Sequence, residues 1–228
     1  MRRCLAAILV AGLVSLTSRD AAAQPTAEDL AGYLALSMTP VGSHVPVMMP
    51  KANAFALRLS HFAQEGTDGT NNLAGSYFMK AGANALVGGT LGYIMPSCDG
   101  CDGVFNAGLG VNSTLWSSTG GASVGMSGDF GWASEDEVTF LSAAIGVPLS
   151  YSVQQASKSS ISFFVSPAYG WGRVSADAGS ESGFRPIVGA GAAWTAPGGW
   201  GLHAAFNKVI IEDGGNSFGV GFSYKMGQ

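Results

Sequence analysis

Charge is scarce in this chain. Only 11% of its 228 residues are Asp, Glu, Lys or Arg, against roughly 25% in ordinary soluble domains. So few charges cannot cover a normal water-facing surface. Histidine is scarcer still, at three residues, leaving little material for imidazole catalysis or a histidine metal site. Cysteine also numbers three, which excludes a disulfide-rich scaffold. Past Leu16 no stretch approaches the ~18–20 consecutive apolar residues that a membrane helix needs. The net charge of −4 offers no footprint for nucleic acid.

What is present begins with an export signal. Arg2 and Arg3 form a basic start, Leu5 to Leu16 an apolar stretch, and Ala21-Ala22-Ala23 a small-residue cleavage site. Cys4 precedes the apolar stretch and is expected to leave with residues 1–23. High apolarity, few charges, no membrane helix and an export signal together point to a barrel in the outer membrane of a Gram-negative bacterium.

Alternation carries that reading. Ile161, Phe163, Val165, Pro167, Tyr169 and Trp171 share one parity, against Ser162, Phe164, Ser166, Ala168, Gly170 and Gly172. Successive strand side chains point to opposite faces, so one face is large and apolar and the other small. Phe218, Val220, Phe222 and Tyr224 oppose Gly219, Gly221, Ser223 and Lys225 in the same way. In a soluble sandwich the second face would carry charge. Here it is mostly glycine, serine and alanine, which suits the interior of a membrane barrel whose large side chains face lipid.

Ten strands are predicted: 53–63, 73–81, 84–95, 104–116, 122–133, 138–153, 160–174, 184–195, 200–209 and 217–226. The fold class is therefore all-β, a single antiparallel up-and-down transmembrane barrel at 52–228, with eight strands the runner-up. Alternate connections are long and short, with 64–72, 96–103, 134–137, 175–183 and 210–216 expected on the outer side. Trp116, Trp132, Trp171, Trp194 and Trp200 fall near strand ends, where an aromatic girdle belongs. Pro148 and Pro167 each remove a ladder donor and should mark a bulge or irregularity.

Residues 24–51 differ from the rest. Ala27 to Ser37 could form a short helix with Leu30, Tyr33, Leu34 and Leu36 on one side, before Pro40, Pro46 and Pro50 break regular structure. This extension lies on the periplasmic side or folds into the barrel mouth. Cys98 and Cys101 stand in Cys-Asp-Gly-Cys-Asp-Gly between two strands, and an exported chain with two remaining cysteines is expected to pair them. Asp99 and Asp102 fall short of a calcium site, and no cofactor or metal is expected.

At the C-terminus, Ser217-Phe218-Gly219-Val220-Gly221-Phe222-Ser223-Tyr224 resembles the β-signal of outer-membrane proteins, filled by Ser217, Gly219, Phe222 and Tyr224. The chain departs from that pattern by continuing through Lys225-Met226-Gly227-Gln228. As a whole it is similar to the small glycine-rich outer-membrane barrels with a porin-like or opacity-protein-like domain. The resemblance implies recognition by the barrel-assembly machinery.

Within such a barrel, parity turns Arg58, Lys80, Arg185 and Lys225 inward with Asp129, joined by His203 and Asn207. Buried charges need partners. The set reads as a polar plug, or as a narrow anion-tolerant passage or small ligand cavity. Catalysis is not expected. Barrel lipid A deacylases place a serine two residues after a histidine, where Ala63 follows His61, and Ser60 projects to the opposite face. His203 likewise has no serine beside it. The expected protein is a non-enzymatic, monomeric envelope component whose partners are membrane lipids. The alternatives are a lipid-modifying barrel enzyme and a soluble exported sandwich or ligand-binding barrel.

Overall fold

The computed structural model describes residues 52–63, 69–97, 102–135, 138–176, 179–210 and 214–226. The expected signal peptide, the 24–51 extension and the Cys98–Cys101 pair lie outside them. Eleven strand segments are formed: β1 (Asn53–Ala63), β2 (Thr70–Lys80), β3 (Ala85–Pro96), β4 (Val104–Ser117), β5 (Ala122–Glu135), β6 (Val138–Gly146), β7 (Leu149–Gln154), β8 (Ser160–Ala176), β9 (Gly179–Thr195), β10 (Trp200–Val209) and β11 (Asn216–Met226). Each pairs antiparallel with its neighbours, and β11 returns to pair with β1. The sheet closes on itself.

β6 and β7 are one strand of the wall. Both pair with β5 on one side and β8 on the other, in a register that continues across the gap. The gap at Val147–Pro148 lies opposite Pro167, so two residues without a backbone N–H meet there. The carbonyls still serve: Val147 N donates to Pro167 O at 2.9 Å, and Gly125 N to Pro148 O at 2.8 Å. The wall therefore has ten strands. The prolines interrupt it without shifting register; the bulge falls at Thr114/Trp116.

The barrel's termini and four short turns share one end. Those turns, at 81–84, 118–121, 155–159 and 196–199, each contain one residue in the left-handed region: Gly82, Gly121, Lys158 and Gly199. Gly121 is doubly constrained, because a Cβ there would collide with the carbonyl oxygen of Ser152. The other end carries the connections 64–69, 97–103 and 210–215, the longer set. One expectation fails at this end. Residues 175–176 and 179–183 belong to strands, since β8 and β9 run on as a ladder to Ala176↔Gly179. β10 by contrast ends at Val209, opposite Ile187, so the β8–β9 hairpin stands above its neighbour.

Outward residues are large and bare. Leu91 is 73% and Phe105 76% exposed, and the belt they belong to includes Leu57, Leu109, Ile145, Phe163 and Val220. A continuous apolar surface of this kind is untenable in water and is what lipid requires. Trp194, Trp200 and Tyr224 crowd the terminus end, with Trp200–Tyr224 centroids 4.3 Å apart. Tyr93–Phe105 and Tyr169–Phe184 pack at the loop end, at 4.9 and 5.9 Å. Phe184 and Trp194 mark the two belts on β9 itself. Ten residues at ~3.3 Å per residue, tilted by about 40°, separate them by roughly 25 Å along the axis. That matches the height of the apolar band of a membrane barrel.

Candidate functional site

The candidate site is the lumen, because the polar side chains converge there. Register sets Arg58, Gly221 and His203 side by side on β1, β11 and β10. The His203 ring lies over Gly221, where a Cβ would strike its Nε2 and Cε1 atoms. Only glycine leaves room for an imidazole between two strands at that point. Arg58 shares the buried interior with Asp129 on β5, near enough for their opposite charges to attract. Asp129 has its own glycine notch: a Cβ at Gly110 would sit 3.0 Å from its Oδ1 and 3.2 Å from the Phe78 ring. Arg58, Asp129, His203 and Asn207 are all buried.

Hydroxyl and amide pairs line the walls around this group. Ser76 and Thr90 Oγ atoms meet at 2.8 Å, Ser123 and Ser150 at 2.6 Å, and Ser152 and Ser162 at 2.8 Å. Asn207 Nδ2 donates to Ser217 Oγ at 3.3 Å. Cross-strand pairs of this type are the sheet's own way of satisfying inward polar groups. Among the described residues, Arg58 Nε, His203 Nδ1, both polar side-chain atoms of Asn112 and the Ser142 and Ser166 hydroxyls find no hydrogen-bond partner. Buried water is the ordinary partner of such groups.

The remaining inward candidates sit at the mouths. Lys80 is exposed and Lys225 half-buried, both at the terminus end. Arg185 is half-buried toward the loop end, its Nη1 donating to Phe184 O at 2.9 Å. The seven residues therefore do not form one cluster; Arg58, Asp129 and His203 hold the middle. Of the β-signal residues, Ser217 and Gly219 face the lumen, and Phe222 and Tyr224 face outward beside Trp200.

Apolar residues on the small face escaped the sequence reading. Phe62, Phe164, Ile187, Ala205 and Val209 form one buried cluster inside the barrel, and Val104, Ala133, Phe140 and Val174 another nearer the loop end. Phe164 gave a signal in the Phe163-Phe164 doublet, which sets one ring on each side of the wall. Gly191 opposite makes the space, since a Cβ there would lie 2.6 Å from the Phe164 ring.

His61 faces outward on β1, its Nδ1 3.0 Å from Asn71 Oδ1. Its cross-strand neighbours are Asn71 and Phe218, while Ser60 is buried on the lumen side. Among the described residues no hydroxyl nucleophile shares its face within the pair. No cluster of three metal-ligating side chains occurs among them either.

A closed ten-strand barrel with a lipid-compatible exterior and a side-chain-filled interior defines the class: this is the fold of outer-membrane β-barrels. One solved structure agrees at the level of fold. The β domain of the Bordetella autotransporter BrkA aligns with a TM-score of 0.53 at 12% identity, covering 77% of this chain and 100% of that one. The translocator domain of the autotransporter NalP from Neisseria meningitidis aligns over 90% of this chain and 100% of its own, at 11% identity and a TM-score of 0.43. Ail, the attachment invasion locus protein of Yersinia pestis, gives 13% identity over 77% of this chain and 97% of its own, with a TM-score of 0.32. No family model and no curated protein matches the sequence.

Proposed function

We propose that this chain is an integral, non-enzymatic protein of the Gram-negative outer membrane, monomeric, with a lumen sealed by its own side chains. The observation that carries the reading is the filling of the interior. Phe62, Asn112, Ser142, Ser166, Leu86 and Val209 are each at most 1% exposed, on strands all around the barrel. The apolar clusters and the Arg58–Asp129 attraction occupy the space that a porin leaves to water. Small inward residues let the walls approach, so glycine here serves closure of the lumen. Specific contacts then belong to the loop end, which the barrel holds above the membrane.

Reconstitution in planar bilayers tests this. The sealed barrel passes no resolvable single-channel current at physiological salt. A steady, voltage-independent conductance from the purified protein would replace the plug with a pore. Fractionation tests the location: the protein should require detergent for extraction and migrate faster unboiled than boiled. Release by salt alone would refute it.

A further inference from the structure

The two ends of the barrel differ in charge: the loop end is mixed, the terminus end positive. Among the described residues, the loop end holds Asp102 and Glu181 beside Arg173, Arg185 and Lys208. The terminus end has Lys80, Lys158 and Lys225 and no described acid. Two of these lysines turn inward and bracket the point where the chain enters the wall. Ala54 pairs with Lys225 on one side and with Phe78 on the other, and Lys80 N donates to the Asn53 side chain at 2.9 Å. β1 therefore begins between two strands that each carry a cation at this end. Ala52 and Ala54 are too small to cover them.

We propose that the mouth at the terminus end is the docking surface for residues 24–51 of the same chain, held by Glu28 and Asp29 against Lys80 and Lys225. Charge complementarity favours this occupant. Glu28 and Asp29 are the extension's only acids, and they meet an end whose described charges are all positive. Reach favours it too: the residues between Asp29 and Ala52, at up to ~3.3 Å each, span several barrel radii, so the acids can return to the mouth. The depth is fixed by the lumen itself. Phe78 and Leu86 are buried on the strands beside the two lysines, so the extension covers the mouth and does not thread the barrel. This goes beyond the reading of a sealed lumen: side chains close the interior, and the extension caps one end.

Spin-label distances on the full mature chain test it. Labels are placed at Thr26→Cys in the extension and Thr119→Cys on a turn of the same end, with Cys98 and Cys101 replaced by serine, in detergent and in phospholipid vesicles. A narrow distance distribution is expected. It should broaden at least threefold in Lys80→Glu/Lys225→Glu and narrow again when Glu28→Lys/Asp29→Lys is added. Should the glutamate variants fail to show the unboiled gel shift, Lys80→Gln/Lys225→Gln replaces them, with the same broadening expected. A broad distribution in the parent overturns the proposal. So does a narrow one indifferent to charge reversal, the result expected if the apolar side of the extension lies on lipid or on a second copy. Bilayer conductance of a chain beginning at Lys51 separates the two readings, because loss of the cap leaves a side-chain-sealed barrel silent.

Discussion

The inner and outer faces of this wall obey opposite rules. Outside, the side chains are large and exposed, and no partner determines their shape: Leu109 and Phe163 need only be apolar, because fluid lipid adapts to them. Inside, each residue is fitted to one neighbour. The His203 ring requires Gly221, the Phe164 ring requires Gly191, and the Phe78 ring requires Gly88. The outer face thus tolerates exchange of one apolar residue for another and rejects charge. The inner face tolerates charge that is matched and rejects volume.

Five substitutions break or sharpen that contrast. The largest effect is expected of Gly221→Leu, which drives a branched side chain into the His203 ring and the Leu57 carbonyl. The barrel should not assemble, read as loss of the faster unboiled gel band, while Val220→Leu one position away assembles normally. Next is Arg58→Ala, which leaves Asp129 buried without its cation. A cost of about 3–5 kcal/mol is expected in urea unfolding from micelles, and Arg58→Met combined with Asp129→Leu should recover most of it. Equal losses in the single and the double variant would remove the Arg58–Asp129 attraction from the account.

Depth grades the outer face. Leu109→Arg, in the middle of the apolar band, should cost about 2–4 kcal/mol, and Phe184→Arg at the loop-end belt about 0–1 kcal/mol. Reversal of that order would mean that something other than lipid covers the band. The smallest effect is expected of His61→Ala. It loses one rim hydrogen bond to Asn71, should shift stability by no more than about 0.5 kcal/mol, and leaves the lipid A acylation pattern of expressing cells unchanged by mass spectrometry. A changed pattern would make the protein an enzyme.

Strand positions were legible because lipid imposes a period-two code that few other environments impose. Asn53–Ala63 and Trp200–Val209 occupy the predicted spans. The tall β8–β9 hairpin was not legible, since Ser175 to Gly183 is rich in small and polar residues that read as a loop. There the ladder continues by pairing alone, with no apolar face to announce it. The candidate site was half legible. Parity placed Arg58, Asp129 and His203 on the inner face, but parity carries no height, so it could not separate these central residues from Lys80 and Lys225 at the mouth. The apolar lumen residues were hidden for a related reason: Phe62 and Phe140 were read against a rule of small interiors that holds on average and fails residue by residue.

What the sequence determined by itself is the period, the sign of each face and the even number of crossings, because these follow from local backbone geometry and the solvent outside. Which residues meet across the lumen was decided by closure. Joining β11 to β1 fixes the stagger of every strand, and that stagger alone brings Asp129 within the field of Arg58 and a glycine under the His203, Phe164 and Phe78 rings.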